Sequence, residues 1–522
     1  MDIKLTKDEV SMCDIELISG EQSFENEILL PDYYQDVMKV LKCFAKPVVL
    51  KTNLINNKII VDGVVFIRVY YQTTDSQIRT IFSKINFSKT FDIKDDIDNI
   101  YISPKIYLDY INCRAINERK IDIKGALSIK LKIYYNLKES VLTNARGSGL
   151  QVKNDNIKNM IVLGNNNNQF VIKQDLALES SNPDISNIIK YNINIISLDK
   201  KIIDDKVILK GEVKLKVLYN IFDENNDNNN INIENNLPVS VEFILPFNQI
   251  IDLPGLSPND DCCLDFNLIW SEITPKSDSD GRNRLILVDL GFNINIKCHK
   301  EVLSSVIVDS YSTLKEIKSE NKTVNCYHVL NKIDEKITVE ANIALPSANE
   351  LVILDVWESP KISFVKITDG GLEIEGKTEL SILGFENNVP VYIEKFIDFQ
   401  TSIPIKDLDI NFKYDLDIKT KDISYNLNFD NLDIKIEFLL TGCVYQNILK
   451  NILKNIEIDE EAKPKIKSED DSLIVYYASP GESVWDLAKK YNTSISAILD
   501  ENENLENNII TEKRILLIPI IS

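Results

Sequence analysis

The sequence predicts a mainly β protein, with tandem β-sandwich-like domains followed by a small β-α-α-β module. Three observations carry this reading. Long stretches alternate apolar and polar residues, a degenerate unit of roughly 150 residues recurs three times, and in the last fifty or so residues the apolar period becomes helical. A chain of 522 residues also exceeds what one core supports, because single cores stop growing near about 250–300 residues.

The repeat has three landmarks. The first is a proline followed by a run that reads as a helix start: Pro31-Asp32-Tyr33-Tyr34, Pro183-Asp184-Ile185 and Pro346-Ser347-Ala348. About 30 residues later comes a long strand interrupted by one glycine: Val61-Asp62-Gly63-Val64, Leu209-Lys210-Gly211-Glu212 and Ile374-Glu375-Gly376-Lys377. In the second copy Val213, Leu215 and Val217 alternate with Glu212, Lys214 and Lys216, so one face is buried and one solvated. A glycine inside such a strand marks a bulge or a close backbone approach. The third landmark is a Phe-containing return strand: Phe87 to Phe91, Phe247 to Leu253, and Phe396 to Phe399. The turn between these strands is short in copies one and three and grows into the Asn-rich tract 223–230 in copy two, a solvated loop.

These landmarks divide the chain into β domains at 1–150, 155–315 and 320–452, the third being the most divergent. A charged, apolar-poor linker at 456–472 follows, and the terminal module occupies 473–522. In that module Leu473 to Tyr477 is a strand and Ser479-Pro480-Gly481-Glu482 a turn. Ser483 is positioned to cap a helix with Asp486 completing a capping box. Val484, Leu487, Ala488 and Tyr491 share one helical face; a second helix begins after Thr493 or Ser494, and Ile515 to Ile518 return as a strand. Trp485, Leu487 and Tyr491 are expected to form the core, and burying an aromatic this size contributes roughly 1.5–3 kcal/mol in a domain with little else to bury.

Composition narrows the function classes. A net charge of −21 argues against nucleic-acid binding, which needs Lys and Arg to displace counterions. No apolar run is long enough to span a bilayer, so membrane insertion is not expected, and Met1 to Glu9 lacks the apolar core of a secretory signal. Eight scattered cysteines read as reduced, buried thiols rather than a disulfide framework. No catalytic residue, cofactor or metal is expected. The acidic groups fit solvated strand faces, and no nucleophile–base pairing is visible. The only histidines, His299 and His328, stand in Cys298-His299 and Cys326-Tyr327-His328; strand neighbours point to opposite faces, so the first pair is a poor chelate, and neither has zinc-site spacing.

The terminal residues Tyr476 to Tyr491 and Ile515-Leu516-Leu517-Ile518-Pro519 resemble the LysM family, with its Y-x-V-x-x-G-D-T-L-W-x-I-A start and I-x-x-G-Q-x-L-x-I-P end. The resemblance implies a ligand groove between Ser479, Pro480, Gly481, Glu482 and Ser483 on one side and Asn508, Ile509 and Ile510 on the other. Lys513-Arg514 replace the family's Gly-Gln, and a basic pair there suits an acidic protein surface better than a sugar. The repeats, through Pro31-Asp32, Val61-Asp62-Gly63-Val64 and Asn117-Glu118-Arg119-Lys120-Ile121, resemble the SPOCS domain of clostridial spore-coat proteins.

SPOCS-like repeats with one C-terminal LysM module are the arrangement of SipL-type spore-coat morphogenetic proteins. That resemblance implies a non-enzymatic scaffold in the mother-cell cytoplasm, at the forespore surface. Its LysM module would dock on the coat-basement ATPase (SpoIVA-like), with other coat proteins and copies of itself as further partners. The alternative is a protein that binds N-acetylglucosamine-containing peptidoglycan of the cortex or wall.

Overall fold

The computed structural model describes residues 3–93, 100–221, 237–345, 351–406, 408, 410–428, 431–463, 465, 473–502, 505 and 509–520. Among these, the chain is almost entirely strand up to residue 458, in three units of six strands each. The first unit holds β1 (Lys4–Leu29), β2 (Lys39–Ile55), β3 (Lys58–Gln72), β4 (Ile78–Asp92), β5 (Ile100–Asn117) and β6 (Lys120–Arg146). The second holds β7 (Leu150–Ala177), β8 (Ile185–Ile203), β9 (Lys206–Ile221), β10 (Val239–Asp252), β11 (Asp261–Lys276) and β12 (Leu285–Ser312). The third holds β13 (Ile317–Ala344), β14 (Leu351–Thr368), β15 (Gly371–Glu386), β16 (Val389–Pro404), β17 (Phe412–Asn428) and β18 (Asn431–Ile458).

Every unit folds the same way. Its second, third and fourth strands make one antiparallel sheet with the third in the centre; its first, sixth and fifth make another with the sixth in the centre. The two sheets face each other over a common core, as Val61, Ile67, Ile123 and Leu131 do in the first unit. The alternation seen in sequence becomes one buried face per sheet, with Val213, Leu215 and Val217 fully enclosed.

The glycine landmark and the phenylalanine landmark prove to be one feature. Gly63, Gly211 and Gly376 stand directly across from Phe87, Phe247 and Phe399 on the neighbouring strand. A Cβ at these glycines would lie 2.2, 2.6 and 2.1 Å from the respective ring. The opposite neighbour carries a register shift beside each glycine, between Val49 and Lys51, Ile195 and Ser197, and Ile362 and Phe364. A ring thus covers a bare backbone on one side while a bulge bends the strand on the other.

Three expectations are corrected. Pro31 and Pro183 do not start helices; they lie in turns that lead into β2 and β8. Arg119 explains the first turn by donating to the carbonyls of Pro31 and Tyr34 and to Asp36, and Arg284 does the same to Glu179, Asn182 and Asp184. Proline's fixed φ serves a turn as well as a helix start. The third proline landmark, at 346–350, and the Asn-rich tract lie outside the described residues. Secondly, four cysteines are disulfide-bonded, Cys43 to Cys113 and Cys262 to Cys298. Sheet topology brings together residues 70 and 36 positions apart, the second pair as direct cross-strand partners. Thirdly, the segment read as a linker from 456 begins as strand. β18 runs to Ile458, which pairs with Ile317, and Ile456 is buried.

The units close on one another with three-fold-like symmetry. The central strands β6, β12 and β18 place equivalent residues together: Val141, Val306 and Ile452 share one cluster, and Leu142, Ile307 and Leu453 the next. The other sheets meet similarly through Tyr70, Leu218 and Leu383. Between these apolar layers lies a polar one. Tyr134, His299 and Tyr445 occupy equivalent positions, and Tyr445 bonds to both His299 Nε2, at 2.9 Å, and Tyr134, at 3.3 Å. Beside them Asp415 of the third unit pairs with Lys297 of the second and with Lys105 and Lys132 of the first. Burial alone would raise the Asp415 carboxyl, but these ammonium groups outweigh it and hold it far below its ordinary value.

Candidate functional site

The terminal module folds as β19 (Leu473–Ala478), α1 (Val484–Lys490), α2 (Ile495–Glu501) and β20 (Arg514–Pro519), with the two strands paired antiparallel. Val484, Trp485, Leu487 and Ala488 are buried, with Tyr491 packed against the same cluster. Ser494 caps α2 by accepting from the Ala497 amide. Ser483 does not complete the expected capping box, since its side chain makes no cap bond; its backbone bridges to Ile509 instead.

The two loops assigned to a groove clasp each other. The Gly481 amide donates to the Ile510 carbonyl and the Ile510 amide to the Glu482 carbonyl, each at 2.8 Å. Glu482 is occupied as well, accepting from Tyr476 and from the Ser479 amide. Gly481 has a φ of +92°, and nothing lies within 4 Å of where its Cβ would be, so backbone conformation rather than space demands glycine. Ser479, Pro480, Gly481 and Ile509 are exposed, while Ile510 is buried. The backbone groups joining the loops are spent on each other and are not on offer to sugar hydroxyls. Asn508 lies outside the described residues. Lys513 is exposed and Arg514 half-buried at the start of β20.

Trp485 has a role that its place in the module does not reveal. It is 3% exposed, its ring meets Tyr311 edge-on at 5.0 Å, and its indole NH donates to Asp309 at 2.8 Å. Both partners belong to the end of β12, in the second unit. Lys489 pairs with Asp309 at 2.8 Å, and the Tyr311 hydroxyl donates to the Thr493 carbonyl at 2.7 Å. Lys465 adds bonds to the Ser312 carbonyl and to Asn492. The module is therefore seated on the β domains, with α1 turned inward. Burial pushes the Asp309 carboxyl up, but hydrogen bonds from Lys489 and Trp485 outweigh it and leave it below its ordinary 3.8. Nothing local in sequence marks Asp309 or Tyr311, which end an alternating strand about 180 residues from their partners.

What the module presents outward is the far face of its sheet. Alternation sends Ile474, Tyr476 and Ala478 toward the helices and Leu473, Val475 and Tyr477 away. Tyr477 pairs with Ile515 and Val475 with Leu517, so the outward face is apolar on both strands; Tyr477 is 76% exposed, Val475 56% and Ile515 54%.

Family models match three stretches of the chain. The SPOCS domain of SipL matches residues 36–116 and 184–276, and the LysM domain matches 476–519. The first two segments span β2 to β5 and β8 to β11, leaving out the long first and sixth strands that meet at the centre. The third unit has no matched segment but repeats the same strand order. No curated protein and no solved structure gives a significant match.

Proposed function

We propose that this SipL-type protein, built of SPOCS domains and a C-terminal LysM domain, is a non-enzymatic coat scaffold that docks on the coat-basement ATPase at the forespore surface. Its domains are those of a sporulation coat-associated protein carrying a glycan-binding type of module. The observation that supports protein docking is the outward apolar face of β19 and β20, with the exposed Lys513 just before β20. Exposed apolar patches mark interaction surfaces, and an adjoining lysine suits an acidic partner. The seating of α1 on Asp309 and Tyr311 leaves that face uncovered.

Modest affinity at each site suffices if the partner is an assembled lattice. Linked binding to many copies adds about 10²–10⁴ in avidity without new contacts. The ring of β domains would then hold the module at a fixed place in the coat and offer its own surface to other coat proteins or further copies.

The test is co-purification and solution binding of the full chain with the coat ATPase, beside a Val475→Glu/Tyr477→Glu variant. Both residues are exposed, so the fold is expected to survive. Binding should weaken at least about tenfold, equivalent to about 1.4 kcal/mol. Unchanged ATPase binding, together with peptidoglycan retention that depends on Gly481 and Ile509, would favour the glycan reading instead.

A further inference from the structure

The central polar layer contains a group of side chains that neither the SPOCS nor the LysM match covers as a set. Cys263 on β11 and His299 on β12 come from the second unit, and Cys443 on β18 from the third. One ligand atom of each lies within 4.8 Å of the others. Cys443 and His299 are buried, and Cys263 is half-buried. The two sulfurs are 3.7 Å apart.

We propose that Cys263, His299 and Cys443 form a binding site for a thiophilic divalent cation, zinc in the first instance, that joins the second and third units. Two sulfurs bound to one tetrahedral zinc, each at about 2.3 Å, are separated by about 3.8 Å, close to the spacing found here. Both thiolates and the imidazole are donors that zinc favours.

The strand register explains why these three side chains converge. Adjacent strand residues point to opposite faces. Cys262 and Cys298 turn into their own unit and are bonded to each other, so Cys263 and His299 turn out toward the third unit. Cys443 occupies the position that Lys132 and Lys297 hold in the other two central strands, and so faces the same centre.

Charge also balances. A divalent cation with two thiolates and a neutral imidazole is neutral overall, so it adds no net charge beside Asp415 and the lysines paired with it. A neutral assembly is what a buried site tolerates. The Tyr445 hydroxyl, bonded to His299 Nε2, supplies the outer hydrogen bond that orients metal-bound histidines. With Nε2 held by this phenol, Nδ1 is the nitrogen left for the metal, and three protein ligands leave a fourth position for a water. Binding releases one proton per thiol and involves no redox change.

The test uses the full chain, reduced with a phosphine, and Co²⁺ as a spectroscopic probe. Co²⁺ is added both to the folded protein and during refolding, so that burial of Cys443 does not block entry. One equivalent should give thiolate-to-cobalt charge transfer and tetrahedral d–d absorption, and Zn²⁺ should bleach both. Cys443→Ser and, independently, Cys263→Ser should abolish the bands with unchanged far-ultraviolet dichroism. His299→Ala should shift the d–d bands, while Cys326→Ser, outside the group, should retain them. Absence of the bands in both loading arms overturns the proposal, as does their persistence in Cys443→Ser. A Cys263–Cys443 disulfide that survives the phosphine, with no cobalt bound, overturns it as well.

Discussion

Replacing Asp309 with alanine should release the terminal module from the β domains without unfolding either. Asp309 accepts from the Trp485 indole and pairs with Lys489. Its removal strands a largely buried donor, at a cost of about 1–3 kcal/mol. The Lys489 pair is half-exposed on both sides and adds at most about 1 kcal/mol. Together these make about 2 kcal/mol, or roughly thirty-fold in the seating equilibrium. Asn at this position keeps an acceptor for the indole and should cost less than half as much. Hydrogen exchange at residues 309–313 and 484–491 of the full chain reads the effect directly. Both segments should lose protection in Asp309→Ala, while strands at the centre of the units stay unchanged. The same equilibrium should shift with pH. The Asp309 carboxyl lies below its ordinary value when seated, so its contribution is complete above that value and is lost as pH falls through the depressed one. Wild-type exchange rates in Asp309→Ala would refute the seating described here.

Gly211→Ala should destabilise the second unit by about 1–3 kcal/mol, since a Cβ would meet both the Phe247 ring and the Ser197 carbonyl at 2.6 Å; thermal melts would show it, and a Phe247→Leu partner change should restore only the ring's share. Asp415→Asn leaves Lys297 buried without its counter-charge and should cost about 3–5 kcal/mol in denaturant unfolding. Because the Asp415 carboxyl is strongly depressed, its stabilisation is present above the ordinary carboxylate range and disappears in acid, which an acid titration of wild type against Asp415→Asn would reveal. Cys43→Ser should cost about 2–4 kcal/mol by opening the cross-link between the two sheets of the first unit, measurable as a lowered Tm.

Local pattern made much of the fold legible. Period-two alternation marked the buried face of β9 at Val213, Leu215 and Val217, and helical spacing marked the α1 face of Val484, Leu487, Ala488 and Tyr491. What depends on residues far apart in sequence was not legible. The glycines were visible as bulge or close-approach sites, but not their pairing with Phe87, Phe247 and Phe399, because register is set by whole strands. The prolines misled because a turn clamped by Arg119 or Arg284 uses the same φ as a helix start. The cysteines misled because Cys262 and Cys298 become neighbours only once β11 pairs with β12. In the candidate site, the loops around Gly481 and Ile510 were found by motif. The residues that seat the module, Asp309 and Tyr311, had no signal, since they belong to a different unit.

The centre of the ring gives a physical reason for three diverged copies in one chain rather than three copies of one chain. At the positions equivalent to Lys132, the units carry Lys132, Lys297 and Cys443, and Asp415 of the third unit draws both lysines to itself. Three copies of the first or of the second unit would place three ammonium groups around one buried axis with no carboxylate set against them, at several kcal/mol for each desolvated charge, and three copies of the third would place carboxylates there without lysines. The same holds at the other sheets, where Lys42, Lys190 and Asp355 are equivalent and Asp355 pairs with both Lys190 and Lys216. Lys42, on the boundary between the first and third units, pairs with Glu379 and Glu394. Covalent linkage lets each boundary carry its own charge pattern, which fixes the order of the units around the ring. It also lets the third unit drift from the SPOCS pattern in sequence, because ion pairs of Asp355 and Asp415 to the other units hold it in place without likeness to its neighbours.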